Sequence, residues 1–222
     1  MMKGLTEELV SDGVLKTPRL IEAFLHIDRA DFVPKDEKEH AYRNTPLPIG
    51  YGQTISQPWT VAFMLELLLP MPGEKILDIG SGSGWQTALL AHIVSHDDFG
   101  NELPKEKCGH IVGIELVPEL AQLGRKNIFS YNFIKKGIVE IHCLNAEGGF
   151  PQGAPYDKII AAAAGEKVPE AWKNELKNGG VIVAPIKSKI VQLLKEGDNV
   201  FAKDEFEGFA FVPFIENDDE NS

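Results

Sequence analysis

Residues 77 to 86 read LDIGSGSGWQ, with three alternate glycines set between an apolar run and a helix-forming one. The run that leads into them, KILDI (75–79), is short and apolar, as expected of a strand buried on both faces. The run that follows, WQTALLAHIV (85–94), has the composition of a helix. Gly80, Gly82 and Gly84 let the backbone turn sharply and bring a ligand close to the main chain. The spacing is G-x-G-x-G, because Trp85 stands where a dinucleotide fingerprint would carry its last glycine. No lysine follows at the Walker position, so a P-loop is excluded.

Outward from this loop the strand–turn–helix unit recurs. HIVGIE (110–115) precedes the helical PELAQLGRKNIFSYNF (118–133), and IVEIHC (138–143) and DKIIAAAA (157–164) read as further strands. A short helix, PEAWKNEL (169–176), a break at Gly179–Gly180 and the strand VIVAPI (181–186) follow. Alternating strands and helices predict an α/β fold with a doubly wound, mostly parallel sheet. KIVQLLKEGDNVFAKDEF (189–206) reads as two strands turning at Gly197–Asp198, and FAFVPFI (209–215) as another strand-like run, so antiparallel C-terminal strands are expected.

Upstream, two short helices are expected within residues 5–32, the second opening at Thr17–Pro18 with Leu20, Phe24 and Ile27 on one face. Residues 32–58 are rich in Pro, Gly and charge and read as a long, mostly irregular segment, of the kind that usually carries function. Its end, GYGQTISQPWT (50–60), holds no charged side chain. Ser56 just before Pro58 has the pattern of a helix start, and an amphipathic helix with Val61, Met64, Leu65 and Leu68 on one face follows.

The 222 residues are 43% hydrophobic and 25% charged, ordinary for a globular chain, with a formal net charge of -11. That charge argues against nucleic acid as a partner, which needs clustered Lys and Arg. VAFMLELLLPM (61–71) is interrupted by Glu66 and falls far short of the roughly 20 apolar residues of a membrane span. The first residues carry acids where a secretion signal would be apolar, and two cysteines make no disulfide framework. A reducing cytoplasm is the expected location, and a monomer the expected assembly. His92 and His96 stand at i, i+4 near Asp97, Cys108 and His110, but a solvated helix end is the expectation there and no metal.

Glu115 ends the second strand, where a carboxylate can accept hydrogen bonds from both hydroxyls of a ribose. It lies 35 residues beyond Gly80, against about 20 in dinucleotide folds. The stretch 95–110 accounts for the excess as an insertion. Asp78 adds negative charge beside the loop, which suits a cofactor bearing a positive sulfonium better than a pyrophosphate. Strand, glycines, helix and strand-ending acid together point to an adenosine cofactor.

The chain resembles the protein-L-isoaspartate O-methyltransferase family in DRADFVP (28–34), AYRNTPLPIGYGQTISQP (41–58), ILDIGSGSGWQTALLA (76–91), VGIELVPELA (112–121), FPQGAPYDKIIAAAA (150–164), VPEAWKNELKNGGVIVAPI (168–186) and FVPFI (211–215). The glycine loop alone would indicate a methyltransferase; the block PLPIGYGQTISQP is what looks specific to the isoaspartyl branch. The resemblance implies a Rossmann-like, class I S-adenosylmethionine-dependent methyltransferase acting on the free carboxylate of isoaspartyl residues in aged proteins and peptides. It implies Ser56 as the active-site hydroxyl. It further implies that Gly80, Ser81, Gly82 and Gly84 surround the methionine part of the cofactor, with Asp78 beside them and Glu115 on the ribose. Gln53 and Thr54 are the candidates for orienting the substrate. Asn145 and Ala146 stand where the family usually has an Asp-Gly pair at the adenine edge, so cofactor binding is expected to be weaker or retuned. The nucleophile is a carboxylate, ionised near neutral pH, so no strong general base is required. On this reading residues 1–215 form one methyltransferase domain. Within it, 1–72 supply the helical and substrate-loop segment and 73–215 the cofactor core, while 216–222 are an acidic, disordered tail. The residues leave open a methyltransferase of another carboxylate or small molecule, or a non-catalytic S-adenosylmethionine-binding homologue.

Overall fold

The computed structural model describes residues 1–213. The expected acidic tail, and the last two residues of the strand-like run 209–215, lie outside them. Helices α1 (Met2–Ser11) and α2 (Pro18–His26) come first, then a hairpin of β1 (Leu47–Gly50) and β2 (Gln53–Ile55), then α3 (Pro58–Leu68). The α/β core follows as β3 (Lys75–Ile79), α4 (Trp85–Ser95), β4 (His110–Glu115), α5 (Pro118–Phe129), β5 (Val139–Cys143), β6 (Tyr156–Ala161), α6 (Glu170–Glu175) and β7 (Leu176–Ile186). A hairpin of β8 (Lys189–Gly197) and β9 (Val200–Glu207) completes the sheet.

The seven-stranded sheet has the order β5-β4-β3-β6-β7-β8-β9. The pairs from β5 to β7 are parallel, and β8 and β9 are antiparallel. Successive side chains of the parallel strands point to opposite faces. Ile76, Ile111 and Ile160 pack toward α1–α5, while Leu77, Val112 and Ile159 pack with Trp172 and Tyr156 on the other side. Both faces are therefore covered, which is why these strands read as continuous apolar runs. The chain passes from β3 to β4 on one side and later returns to β6 on the other. A crevice opens at the carboxyl ends of β3 and its neighbours, where doubly wound sheets bind ligands.

The segment 32–58 is irregular apart from a short 3-10 helix (Lys35–His40) and the small hairpin that carries Gln53 and Thr54, turned by Tyr51 and Gly52, both at positive φ. Two expectations change. Gly179–Gly180 does not break the last parallel strand. β7 runs through it, absorbing the glycines as a register irregularity between Tyr156 and Lys158 of β6. Residues 209–212 form no strand: they run as a strap held by a bridge between Pro213 and Ala164 and by the Ala164 N–H on the Val212 carbonyl (2.9 Å).

The long segment is organised by one buried cation. Arg29 is fully enclosed. Its guanidinium donates to the carbonyls of Ala41 (2.8 Å), Arg43 (3.2 Å), Thr45 (2.9 Å) and Ser56 (3.0 Å), and lies over the Trp85 ring. Burial lowers its pKa to about 10, so it stays charged at neutral pH. Arg29→Met leaves these four acceptors without their donor. We expect a loss of about 3 kcal/mol or more in urea unfolding, with the slope of the transition unchanged.

Candidate active site

The glycine loop is held by strand β4. The N–H groups of Gly80 and Ser81 both donate to the Ile114 carbonyl (2.8 and 3.0 Å). One residue on, the Glu115 carboxylate accepts from Gly82 N–H through Oε2 (2.8 Å) and from Val117 N–H through Oε1 (2.9 Å). A single side chain thus joins the glycine turn to the start of α5. Each carboxylate oxygen keeps a further lone pair for a ligand. Glycine is required where the loop is tightest: at Gly84 (φ +95°) an added Cβ would lie 2.9 Å from Ile128 Cδ1.

Of the residues singled out in the sequence, Gly80, Gly82, Glu115, Asn145, Ala146, Gln53 and Thr54 line one cleft, with Leu116, Leu120 and Leu144 as apolar wall. Thr54 and Ser56 also line a second cavity with Gln57, Thr60, Ala162 and the strap residues 210–213. A small cavity lined by Thr54, Ser56, Gly80, Ser81, Gly82 and Ala162 joins the two. Ser56 and the glycine loop therefore line one space, although Ser56 lies 24 positions before Gly80 in the chain.

Two expected cleft residues face elsewhere. Asp78 is completely buried under the loop and accepts hydrogen bonds from Gln86 Nε2 (2.7 Å) and Thr87 Oγ1 (2.6 Å), fastening α4 to β3. It does not line the cleft, because a strand residue two positions before the turn points into the sheet–helix interface. Gly84 occupies the N-cap of α4 and packs against α5. Ser56 does not cap α3. The cap position is Gln57, and the N–H of Trp59 is taken by Asn44 Oδ1 (3.0 Å), from the far side of the segment. Among the described residues no His/Cys/Asp/Glu group could hold a metal, and the His92 and His96 rings stack at 3.9 Å.

Residues the sequence reading passed over complete the site. Arg29 fixes the Ser56 carbonyl, and Asn44 supplies the helix cap. Val212 and Pro213 close the cleft from the C-terminal side, while Ala162 and Ala163, of the AAAAG run that reads as a packed strand end beside the cofactor, give it a small-residue wall. An arginine between two apolar stretches in DRADFVP was the available signal for Arg29; Asn44 bears no local signature.

The site and sheet define the class: a Rossmann-like S-adenosylmethionine-dependent methyltransferase. The model of the family described as protein-L-isoaspartate(D-aspartate) O-methyltransferase matches residues 1–219, and the chain belongs to that family. A protein-L-isoaspartate O-methyltransferase of Methanopyrus kandleri is 38% identical over 215 residues, spanning 95% of this chain and 89% of that one. One from Aeropyrum pernix is 40% identical over 190 residues, spanning 86% and 68%. A solved protein-L-isoaspartate O-methyltransferase superposes with a TM-score of 0.83 at 26% identity, over 98% of this chain and 67% of that one. A Plasmodium falciparum chain crystallised under the same enzyme name with S-adenosyl-L-homocysteine gives a TM-score of 0.84 over 97% and 98%. At 24% identity it shows the shared fold.

Burial raises the Asp78 pKa from 3.8 to about 6, against the opposing effect of its two hydrogen bonds. The folded state therefore holds this proton more tightly than the unfolded chain. The group's contribution to stability is full below about pH 4 and is lost as pH rises through about 6. Asp78→Asn, which keeps the shape, should flatten the fall in Tm between those pH values, measured by calorimetry beside the parent chain.

Proposed function

We infer that this protein is a protein-L-isoaspartate O-methyltransferase. It moves a methyl group from S-adenosylmethionine to the free carboxylate of L-isoaspartyl residues in proteins and peptides. The observation that carries the reading is the cavity in which Ser56 meets the glycine loop, together with membership of the family. The residues present fit the cofactor. Ser81 Oγ is buried beside the loop with no hydrogen-bond partner among the described residues, and Glu115 faces the cleft with acceptor capacity to spare. On this reading Gly80, Ser81 and Gly82 hold the methionine part, Glu115 the ribose hydroxyls, and the loop of Asn145 and Ala146 the adenine edge. Asp78 and Gly84 act indirectly, by fixing α4 and the turn.

When bound, S-adenosylmethionine supplies a methyl group activated by a sulfonium. The chain's part is to place an anionic oxygen and to keep water away. Ser56 donates one hydrogen bond to a substrate carboxylate oxygen and so fixes the other for attack. Thr54, on the partition between the two cavities, and Gln53 orient the substrate. Among the described residues, the cavity around Ser56 is lined by Thr, Gln, Ala, Pro, Phe and Val and by no charged side chain. A lysine there would lower the nucleophilicity of the carboxylate by pairing with it, whereas a hydroxyl orients it at little cost.

We read the protein as a monomer acting on isoaspartyl proteins and peptides, and its formal net charge of -11 as unfavourable to nucleic acid. No helix among the described residues is long and apolar enough to cross a membrane. The free thiols of Cys108 and Cys143 suit a reducing cytoplasm. We read residues 1–72 as the substrate-side part and 73–215 as the cofactor part of one domain.

The decisive experiment is methyl incorporation into an isoaspartyl peptide beside its normal aspartyl twin. Label should enter the first alone, and equal labelling of both would sink the reading. Ser56→Ala should lower kcat by roughly tenfold to a hundredfold while S-adenosylhomocysteine affinity stays near that of the parent, since a hydrogen bond to a charged group contributes about 1.5–3 kcal/mol. Glu115→Gln places an amide N–H₂ against one of two backbone donors. Calorimetric titration should show cofactor affinity at least tenfold weaker.

A further inference from the structure

The loop between β5 and β6 forms the far end of the cleft, and its middle is tied to the short helix α6. The indole Nε1–H of Trp172 donates to the Ala146 carbonyl at 2.7 Å, and both residues are buried. The loop's ends are anchored separately. Leu144 N–H donates to the Glu115 carbonyl (3.1 Å), Phe150 N–H to Glu175 Oε2 (2.9 Å), and Tyr156 Oη to the Phe150 carbonyl (2.9 Å). Asn145 Oδ1 accepts from Glu147 N–H (2.8 Å), curling the turn on itself.

Behind this turn lies a second cavity, lined by Glu147, Ala163, Gly165, Trp172 and Ile186. Asn145 and Ala146 line the cofactor cleft and the next residue, Glu147, lines this cavity, so the turn has open space on either side. A partition with room to recede needs a tie that sets its depth. We propose that Trp172 is a positioning residue for the adenine end of the cleft. Its indole N–H holds the Ala146 carbonyl back against α6 and thereby presents Asn145 and Ala146 to the adenine edge. The inference rests on the cofactor reading given above. It also accounts for how the chain orders this edge with an Asn-Ala pair, whose side chains are committed to the turn and to the wall. The Ala146 carbonyl also accepts from Gly149 N–H (2.9 Å), a bond inside the same turn, so the indole N–H is what ties that carbonyl to α6; without it the turn keeps its own bond and relaxes toward the rear cavity.

The test is calorimetric titration of the parent chain, Trp172→Phe, and a chain carrying 3-benzothienylalanine at position 172. That last residue copies the indole shape with sulfur in place of N–H. Each is titrated with S-adenosyl-L-homocysteine and with S-inosyl-L-homocysteine, which differs only at the amino edge of the base. Both substitutions should weaken S-adenosylhomocysteine about fivefold, the worth of one net hydrogen bond, while S-inosylhomocysteine binding stays nearly constant. The preference for adenine then falls by the same factor. KM for the isoaspartyl peptide and kcat at saturating cofactor should hold. The isosteric chain decides the matter if Trp172→Phe folds poorly. Unchanged affinity in that chain, or parallel weakening of both ligands, would overturn the assignment. A parent chain that binds no S-adenosylhomocysteine would overturn the cofactor reading itself, and this inference with it.

Discussion

A fully buried guanidinium, with no ion pair among the described residues, organises the segment between α2 and α3. Arg29 satisfies its charge with four backbone carbonyls drawn from residues 41–45 and from Ser56. The arrangement resolves two problems at once. A cation removed from water requires acceptors, and an irregular segment running through the interior requires donors for its carbonyls. The rigid fork of an arginine reaches several carbonyls in a way a lysine ammonium does not. Because Trp85 opens α4 and lies under the guanidinium, the same residue links the substrate segment to the helix that follows the glycine loop.

The cofactor side has its own knot in Glu115. Its two carboxylate oxygens take the N–H groups of Gly82 and Val117, so β4, the glycine turn and the start of α5 are joined through one side chain. The two acids near the loop divide the work. Glu115 faces the cleft, while Asp78, fully enclosed, holds Gln86 and Thr87 and keeps α4 in place. Their difference is one of direction. A residue at the end of a strand reaches the crevice, whereas one inside the strand points into a packed layer.

The two halves meet at Thr54 and Ala162, which line both the cofactor cleft and the cavity beside Ser56. An aromatic series from Trp59 and Phe63 on α3 through Phe206 and Phe209 carries the strap across that junction. Its Val212 and Pro213 thereby become walls of the cleft despite lying 128 and 129 positions beyond Gly84. A neutral site of this kind suits a reaction in which the substrate brings the negative charge and the cofactor the positive one.

By itself the sequence determined the parallel core, the order of its strands and helices, and the place of the cofactor cleft. Those follow from local patterns: apolar runs of strand length, glycines at alternate positions, and an acid at a strand end. The terminal hairpin was legible for the same reason, since two alternating runs flank a Gly-Asp turn. Only the tertiary structure decided what Ser56, Asp78, Arg29 and Trp172 do. Ser56 reads locally as a helix cap, but Asn44, brought back by the fold, supplies the cap and leaves the serine on the cavity wall. Asp78 reads as a charge beside a ligand, but the pleat turns it into the core. Arg29 and Trp172 act on backbone carbonyls, which every residue carries, so no residue type at the far end could have announced the contact. Hydrogen bonds to the main chain over long sequence separations leave no pattern in the sequence, and the segment between α2 and α3 is held by them.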